Sequence, residues 1–156
     1  MENVNIRRAI SDDLYEIQKL NNELFDLEFN NFDSTLIQDW PFSKEGEQYF
    51  FDAIKNDIVL IAYINNEIVG YLAGTLNSQY SYNNNIQAGL DNMCIKNEYR
   101  KLGIGSKLLE EFKKICKENG IDEIKVVASY GNTNAINFYK CNGFKESELT
   151  LKQDIN

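Results

Sequence analysis

The strongest β-strand pattern in the chain lies in "DIVLIAYINNEIVGYLAGTL", residues 57–76. Two runs rich in β-branched and aromatic residues, which are favoured in strands, flank the dipeptide Asn65-Asn66. Asparagine tolerates the positive φ angles that a two-residue hairpin turn requires. The segment therefore predicts an antiparallel β-hairpin near the middle of the chain.

The residues before this hairpin are predicted to form one strand and two helices. Residues 4–10, "VNIRRAI", are typical of a short first strand. Ser11 or Asp12 can then cap a helix, because a short side-chain oxygen accepts a hydrogen bond from the unpaired N–H groups of the first turn. A second helix is predicted at residues 44–55. The buried face of the first helix is predicted to consist of Leu14, Ile17, Leu20, Leu24 and Leu27.

The residues after the hairpin are predicted to alternate between strands and helices. The predicted elements are a strand at 86–95, a helix at 103–119, a strand at 123–129, a short helix at 132–141 and a final strand at 144–153. Gly120 suits the end of the longer helix, and the continuous apolar run "EIKVVAS" is typical of a central strand. This order predicts one mixed α/β domain, and neither a repeating βαβ array nor a helical bundle.

The composition excludes several classes of function. The chain contains no histidine, which excludes the usual Ser-His-Asp and Cys-His mechanisms and histidine-ligated metals. Cys94, Cys116 and Cys141 form no Cys-x-x-Cys pair, so neither a disulfide framework nor a zinc site is expected. The net charge of −8 disfavours nucleic acid as a partner. No apolar run reaches the roughly 18 residues that cross a membrane, and no secretion signal is recognisable, so a cytoplasmic location is expected.

A basic step that contains two glycines precedes the predicted helix at 103–119. The stretch from Arg100 to Gly105 reads "RKLGIG". The first N–H groups of a helix are unpaired and its dipole makes that end positive, while glycine lets a ligand approach the backbone closely. The step therefore suits an anion such as a pyrophosphate, with Arg100 or Lys101 adding a charge-assisted bond. A tight strand-to-helix turn with solvated basic side chains is the alternative.

Two common phosphate-binding motifs do not fit this step. A dinucleotide fingerprint requires Gly-x-Gly-x-x-Gly, and Leu108 stands three residues after Gly105. A P-loop requires a glycine, four residues and then Gly-Lys-Ser or Gly-Lys-Thr, and the sequence contains no such run. If the step binds a phosphate, it therefore does so through another motif.

A second motif, "GNTNAINFYKCNGF", occupies residues 131–144. Its spacing of Asn132, Ala135, Phe138 and Tyr139, together with the glycine step before it, resembles the GCN5-related N-acetyltransferases, or GNAT family. The specific match covers about residues 86–144, and the element order agrees along almost the whole chain. The resemblance implies a single three-layer α/β/α domain over residues 1–156. Its twisted sheet would be mixed, mostly antiparallel and of six to seven strands, with about four helices.

The resemblance also implies an acetyl-CoA site without a metal. In this family, backbone amides of the glycine step bind the pyrophosphate, and the preceding strand pairs with the pantetheine arm. The residues carried over are Arg100, Lys101, Leu102, Gly103, Ile104, Gly105 and Ser106 for the pyrophosphate, Met93, Cys94 and Ile95 for the arm, and Asn132, which matches the asparagine that contacts the arm. Amides near Met93 and Cys94 would polarise the thioester carbonyl. Relatives often carry glycine where this chain has Lys101, whose side chain could reach a phosphate.

Two residues are implied in proton transfer. Tyr139 matches the family tyrosine that lies near the cofactor sulfur and can protonate the departing thiolate, although a core aromatic beside Phe138 is the alternative. Asp91 stands where many relatives carry an acidic residue, and it could take the proton of an amine directly or through water. A solvated or turn-forming aspartate is the alternative. Cys94 and Cys141 have no histidine to activate them, so direct transfer in a ternary complex is expected.

The acceptor in this family usually enters between the first two helices and the far side of the sheet. This region combines acidic and aromatic residues, which could hold a cation by ion pairing and cation–π contact. The residues singled out there are Glu23, Asp26, Glu28 and Trp40. They favour a small cationic amine, a polyamine, an aminoglycoside-like amine or a lysine-bearing peptide. An ordinary acidic surface is the alternative.

A second class of function stays open beside the enzyme. A catalytically silent module of the same fold would bind acyl-CoA as a sensor or a partner subunit. The presence of both the tyrosine and the glycines favours the enzyme. The protein could be a monomer or a homodimer, with an edge strand such as the last one mediating the contact.

Overall fold

The computed structural model describes residues 3–78 and 80–156. Its regular elements follow the predicted order as far as the last helix. They are strand β1 (Asn5–Arg8), helices α1 (Leu14–Asn31) and α2 (Lys44–Asn56), strands β2 (Ile58–Ile64), β3 (Glu67–Thr75) and β4 (Gln87–Ile95), helix α3 (Ile104–Glu118), strand β5 (Glu123–Val126) and helix α4 (Thr133–Cys141).

The strands form one mixed sheet. Within the described residues there are five, in the order β1-β2-β3-β4-β5. Neighbours from β1 to β4 are antiparallel, and β5 pairs parallel with β4. The mixed, mostly antiparallel sheet is as expected, but the expectation of six to seven strands is too high. The run at 123–129 is not a central strand, because β5 ends at Val126 and lies at the edge of the sheet.

The final strand predicted at 144–153 is absent from the described structure. From Lys145 onward the residues are exposed and make no backbone-to-backbone hydrogen bond with any described residue. A β-strand is defined by its hydrogen bonds to a neighbouring strand. A segment with an alternating sequence pattern therefore forms no strand where no neighbouring strand pairs with it.

Helices cover both faces of the sheet, which gives the expected three layers. On one face, Phe112 of α3 packs with Leu72 of β3 and Leu90 of β4. On the other face, Ile17 of α1 packs in a cluster with Tyr71 of β3, to which α2 also contributes. Each element buries an apolar side against another layer, which is the main source of stability for such a sheet.

The β2–β3 hairpin is the predicted one. Its turn residues Asn65 and Asn66 have φ angles of +47° and +67°. Positive φ at both positions is the signature of a type I′ turn, whose twist matches that of the flanking strands. The flanking residues Ile64 and Glu67 pair directly across the ladder, so the hairpin prediction is confirmed.

The start of α1 differs from the prediction, since neither Ser11 nor Asp12 caps the helix. A 3-10 turn precedes α1, and the carboxylate of Asp13 accepts a hydrogen bond from the backbone N–H of Ile10 at 2.8 Å. The guanidinium of Arg7 donates to both Asp13 oxygens, at 2.8 and 3.0 Å. Burial alone would raise the pKa of Asp13, but the hydrogen bonds from Arg7 and Ile10 outweigh it and lower the pKa.

The variant Asp13→Asn is expected to reduce the free energy of unfolding at neutral pH by about 1–3 kcal/mol, because it leaves the Arg7 guanidinium without its carboxylate. The pKa of Asp13 is lowered on folding, so its contribution is present above the unfolded pKa of about 3.9 and is lost as the pH falls through the folded value. Urea unfolding should therefore show the difference shrinking toward acid pH. The exposed neighbour provides the control Asp12→Asn, and equal losses in both variants at every pH would contradict the assignment.

Candidate active site

The last two strands of the sheet separate part of the way along β4. The ladder with β5 covers only the stretch from Gln87 to Leu90, where β5 ends at Val126. Strand β4 continues to Ile95. Beyond Leu90, the outer edge of β4 has no strand beside it among the described residues. The separation leaves a gap into which backbone polar groups of β4 can point.

A β-bulge at Asp91 marks the start of this gap. Ala73 of β3 pairs with Asn92 and Gly74 pairs with Leu90, so Asp91 is the extra residue between them. The extra residue shifts by one position the alternation of side chains between the two faces of the sheet. As a result, Leu90 and Met93 both pack on the α3 face of the sheet.

The backbone of Met93 faces the gap. The N–H of Lys96 donates to the carbonyl of Val69 on the β3 side at 2.8 Å, which identifies a hydrogen-bonded pair. Because hydrogen-bonded and non-hydrogen-bonded pairs alternate along an antiparallel ladder, Met93 and Ile95 turn their N–H and C=O groups away from β3. The Ile95 carbonyl accepts a hydrogen bond from Nε of Arg100 at 2.8 Å. The N–H and C=O of Met93 point away from β3 and have no strand on the other side among the described residues, so both are available to a ligand.

Helix α3 begins with unpaired N–H groups and without a capping side chain. Gly103 occupies the N-cap with a φ of +79°, and nothing lies within 4 Å of the position its Cβ would take. The N–H of Lys107 bonds to the Gly103 carbonyl at 3.1 Å, whereas the N–H groups from Lys101 to Ser106 have no backbone partner among the described residues. Unpaired N–H groups at the positive end of a helix dipole suit an anion.

The two basic residues of the step have different positions. Lys101 has a φ of +62°, a left-handed conformation that costs a non-glycine residue about 1–2 kcal/mol. Its side chain is exposed. Arg100 instead folds back on the end of β4, with Nε on the Ile95 carbonyl at 2.8 Å and Nη1 on Oδ1 of Asn97 at 3.3 Å. These two bonds of Arg100 stabilise the turn that follows β4.

The second glycine of the step serves packing. A Cβ on Gly105 would lie 3.1 Å from the ring of Phe138 and 3.9 Å from the Met93 side chain. Glycine therefore lets α4 and Met93 pack on the first turn of α3. Ile104 is buried, so only its backbone can contact a ligand, whereas Leu102 is half exposed.

Tyr139 lies on α4 among aromatic residues. Its ring packs edge-to-face with those of Phe138 and Phe144, at centroid distances of 5.2 and 5.4 Å. Burial raises the pKa of Tyr139 to about 12, so the phenol stays protonated at neutral pH. Its hydroxyl makes no hydrogen bond with another described residue. The residue therefore packs as a core aromatic and also keeps a phenolic proton available.

Cys94 is a buried thiol on β4. Burial raises its pKa to about 11, so the thiol is protonated at neutral pH and is a poor nucleophile. Its backbone pairs with Tyr71 of β3, which leaves it turned away from the gap. Among the three strand residues predicted to contact the cofactor arm, Met93 is thus the one with both backbone groups unoccupied.

Asn132 caps helix α4. Its Oδ1 accepts a hydrogen bond from the N–H of Ala135 at 3.1 Å, and its Nδ2 donates to Oε1 of Glu28 at 3.2 Å. The other oxygen of Glu28 accepts from Oγ of Ser129 at 2.7 Å. Glu28 was predicted on the acceptor side, and in the structure it ties the end of α1 to the loop between β5 and α4. Each amide atom of Asn132 retains one bonding position for a ligand.

An acidic cavity of about 360 Å³ lies between α2 and the bulged part of the sheet. The carboxylates of Asp52, Asp57 and Asp91 and the phenol of Tyr49 line it. Burial raises the pKa of Asp91, and the charge of Asp57 adds a smaller increase. The hydrogen bond that Oγ1 of Thr75 donates to the carboxylate at 2.7 Å acts in the opposite direction and offsets only part of the increase. The lining suits a cationic ligand.

Only some of the residues predicted for the acceptor site lie near this cavity. The Trp40 ring contacts that of Tyr49, with centroids 5.7 Å apart. Asp26 accepts a hydrogen bond from Gln38 at 2.9 Å, and Glu23 is exposed on α1.

No sequence motif predicted that Tyr49, Asp52 and Asp57 line a cavity. The spacing of the first two places them on one face of α2. The sequence does not show that this face of α2 lies against the bulge, because that contact arises from the packing of α2 on the sheet.

A chain of hydrogen bonds fixes Tyr49 relative to the bulge. Nδ2 of Asn21 donates to the Tyr71 hydroxyl at 2.8 Å, which donates to Oδ1 of Asn92 at 2.5 Å. Nδ2 of Asn92 donates in turn to the Tyr49 hydroxyl at 3.1 Å. Burial raises the pKa of Tyr71 far above its usual value, so its hydroxyl is a permanent donor. Because Asn92 stands between the bulge residue and Met93, this chain ties the middle of β4 to α1 and α2.

Neither a metal cluster nor a membrane-spanning helix is found in the described part of the chain. It holds no group of three or more His, Cys, Asp or Glu side chains arranged to bind a metal ion. None of its helices combines the length and the apolar character needed to cross a membrane.

Comparisons with known protein sequences point to one family. Residues 14–144 match the acetyltransferase (GNAT) family. An N-alpha-acetyltransferase of Sulfurisphaera tokodaii is 30% identical over 112 residues, which are 68% of this chain and 62% of that protein. The Bacillus subtilis protein YyaT is 33% identical over 67 residues, 43% of each chain. The chain spans less than two thirds of the length of these curated relatives.

Solved structures share the fold over nearly the whole chain. A tetramutant of the BH1408 protein of Bacillus halodurans superposes with a TM-score of 0.83 at 20% identity, over 97% of this chain and 99% of that one. The aminoglycoside N-acetyltransferase AAC(6')-Iy in complex with CoA gives 0.78 at 16% identity, over 99% and 95%. These likenesses confirm the predicted α/β fold. The match over residues 14–144 shows in addition that the chain belongs to the acetyltransferase (GNAT) family, as its glycine and asparagine motifs predict.

Proposed function

We propose that the protein transfers the acetyl group of acetyl-CoA to a primary amine, which attacks the thioester directly. The observation that carries this proposal is the succession of groups along β4 and into α3. The Asp91 carboxylate lines the cavity, the Met93 N–H faces the gap, and unpaired helix N–H groups follow at Gly103. One stretch of chain thus supplies, in order, groups suited to an acceptor, a thioester carbonyl and a pyrophosphate.

The residues at the gap and at the helix start fit the cofactor. The unpaired N–H groups around Gly103 and the exposed side chain of Lys101 would hold the pyrophosphate, where no Cβ crowds the backbone. The Met93 C=O would accept a hydrogen bond from an amide N–H of the arm, as from a neighbouring strand, and Asn132 retains bonding positions for the same arm. Bound acetyl-CoA supplies the activated acetyl thioester.

The side chains of the site would handle the protons. A lysine-like amine has a pKa near 10.4, so it arrives protonated, and Asp91 accepts its proton directly or through water. The raised pKa makes the Asp91 carboxylate a stronger base. The Met93 N–H donates to the oxygen that gains negative charge during the attack. Tyr139, which is protonated at neutral pH, gives its proton to the departing thiolate and is restored by the second proton that the acylated nitrogen loses.

The acceptor that the cavity favours is a small cationic amine, such as a polyamine or an amino sugar. Three carboxylates around about 360 Å³ attract a compact, positively charged molecule more strongly than a neutral one. Trp40 and Tyr49, whose rings touch, add an aromatic surface for cation–π contact. AAC(6')-Iy, which shares the fold, acts on aminoglycosides as its name states.

The variant Gly103→Glu is expected to weaken acetyl-CoA binding at least tenfold in isothermal titration calorimetry. It places a carboxylate beside the unpaired N–H groups that would bind the pyrophosphate, so that like charges repel. Gly120→Glu is the matched control, because Gly120 also has a positive φ, of +69°, and open space at its Cβ position. It follows the other end of a 15-residue helix, roughly 22 Å away, and should bind acetyl-CoA like the wild type. Equal losses in the two variants would contradict the proposed site.

The variant Tyr139→Phe is expected to lower kcat by roughly 100-fold or more while the acetyl-CoA dissociation constant stays unchanged, because it removes a general acid and keeps the ring. Release of CoA thiol with polyamine and aminoglycoside acceptors measures kcat. Tyr15→Phe, on an exposed tyrosine of α1, serves as control. A wild-type protein that binds acetyl-CoA but transfers nothing to any amine would favour the silent binding module instead.

Replacing Asp57 by Asn is expected to shift the acid limb of the pH profile of kcat/KM to lower pH. The negative charge of Asp57 contributes, after burial, to the raised pKa of Asp91, so its removal lets that pKa fall. Asp52→Asn neutralises another carboxylate of the same cavity that does not contribute to this shift, so it should leave the limb in place. An acid limb that persists in Asp91→Asn would show that another group is the base.

A further inference from the structure

The acidic cavity contains a hydrogen-bond donor that no acceptor satisfies. Three carboxylates line the cavity, those of Asp52, Asp57 and Asp91. Hydroxyl groups of the lining belong to Thr75 and Tyr49, and that of Thr75 donates to a carboxylate at 2.7 Å. The Tyr49 hydroxyl accepts a hydrogen bond from Nδ2 of Asn92 at 3.1 Å, but its own proton has no acceptor among the described residues. The cavity therefore offers a ligand several acceptors and one free donor.

The negative charge of the cavity favours one orientation of the Tyr49 hydroxyl. A hydroxyl that accepts one hydrogen bond can still donate one, and carboxylates attract the positive end of its O–H dipole. Burial raises the pKa of Tyr49, and the nearby charges of Asp91 and Asp57 add to the increase. If Tyr49 donated to Asn92 instead, its lone pairs would face these carboxylates. The orientation in which Tyr49 accepts from Asn92 and keeps its proton for the cavity is therefore favoured.

Two further hydrogen bonds extend this arrangement into the core. Because Nδ2 of Asn92 faces Tyr49, its Oδ1 is free to accept a hydrogen bond from the Tyr71 hydroxyl at 2.5 Å. The Tyr71 hydroxyl, whose proton is used in that bond, accepts from Nδ2 of Asn21 at 2.8 Å. A hydroxyl has only one proton, and the two ends of an amide cannot exchange roles separately. The direction of any one bond in this chain therefore determines the direction of the others.

The buried end of the hydrogen-bond chain agrees with the same direction. Asn21 is 1% exposed, and its Oδ1 is the only buried side-chain nitrogen or oxygen among the described residues that lacks a hydrogen-bond partner. In the opposite direction, Tyr71 would donate to Oδ1, and Nδ2 would occupy the unpaired position. Buried N–H groups without an acceptor are rarer in folded proteins than buried C=O groups without a donor. Both ends of the chain thus favour a Tyr49 proton that is available to a ligand.

We propose that the Tyr49 hydroxyl selects an acceptor amine that carries a hydroxyl or ether oxygen near its nitrogen, as an amino sugar does, over an alkyl polyamine. This inference rests on the proposed acceptor site. The ammonium group of such a ligand donates to the carboxylates, and its oxygen accepts the Tyr49 proton. An alkyl polyamine is protonated at neutral pH and has only N–H donors, so it leaves the Tyr49 proton unpaired. Tyr49 is then a specificity-determining residue, and Tyr71 and Asn92 are positioning residues.

Two diamines that differ by one hydroxyl test this specificity. Diaminopropanol carries a hydroxyl on the central carbon, and trimethylenediamine is the same molecule without it. NMR titration of the ¹⁵N-labelled protein, without acetyl-CoA, gives both dissociation constants. The wild type is expected to bind diaminopropanol roughly tenfold more tightly, because a site that hydrogen-bonds a hydroxyl disfavours the analogue that lacks one. Tyr49→Phe keeps the ring and is expected to make the two constants equal. Tyr15→Phe, on an exposed tyrosine outside the cavity, is the control and should keep the difference.

The variant Tyr71→Phe tests the hydrogen-bond chain. Tyr71 is fully buried and is not part of the cavity lining. Without its hydroxyl, the Asn92 amide can turn and accept the Tyr49 proton, so the preference for diaminopropanol is expected to fall here also. The double variant Y49F/Y71F should lose no more of the preference than Y49F alone, because both changes remove the same donor. A role of Tyr71 in packing alone would weaken both diamines alike and leave the preference unchanged.

Three results would overturn the inference: a wild type that binds both diamines equally or binds neither, a preference that Tyr49→Phe leaves unchanged, or one that Tyr71→Phe leaves unchanged. Release of CoA thiol from acetyl-CoA with the same diamines separates this inference from the proposed function. If the expected preference is found but no amine is acetylated, acetyl transfer is wrong and the specificity of the cavity stands. If both diamines are acetylated with the same kcat/KM, the specificity alone is wrong.

Discussion

The separation of β4 from β5 beyond Leu90 is the constraint on which the proposed site depends. A continuous ladder would pair every N–H and C=O of β4 with a neighbouring strand and leave none for a ligand. Since β5 ends at Val126, the Met93 backbone faces a gap instead. The bulge at Asp91 begins at the same point and keeps Met93 on the α3 face, where its side chain lies 3.9 Å from the position that a Cβ on Gly105 would take. The gap and the helix start thereby adjoin one another.

An acidic protein would be able to bind an anionic cofactor at the proposed site, because most of the groups proposed to bind it are dipoles. Backbone N–H groups at a helix start attract a phosphate by their orientation and add no net charge. The carboxylates of Asp52, Asp57 and Asp91 lie in a separate cavity, where they suit a cation. Two sets of hydrogen bonds connect the elements around these sites: the chain through Tyr71 and the contacts of Glu28 with the loop before α4.

Local signals made part of this structure predictable from the sequence. The Asn65-Asn66 turn and the glycine step each depend on the conformational or hydrogen-bonding properties of a few adjacent residues. Features that depend on distant residues were not predictable. Asp13 displaces Ser11 and Asp12 as the key residue before α1 because Arg7 of another element binds it. The apolar run at 123–129 indicated a central strand. Apolar character alone does not determine whether a strand has neighbouring strands on both edges, and among the described residues β5 has one on a single edge. The acidic cavity combines residues of α2, β3 and β4, which only the packing of these elements brings together.

The measurement that tests the proposed donor site most directly is an NMR titration of the ¹⁵N-labelled protein with CoA. If the unpaired backbone groups bind the cofactor, the amide signals of Met93 and of residues 101–106 should shift strongly and together. Signals of Cys94, whose amide is paired with β3, should shift much less. Shifts confined to other parts of the chain, with Met93 and the start of α3 unchanged, would contradict the proposal that the gap and the helix start form one cofactor site.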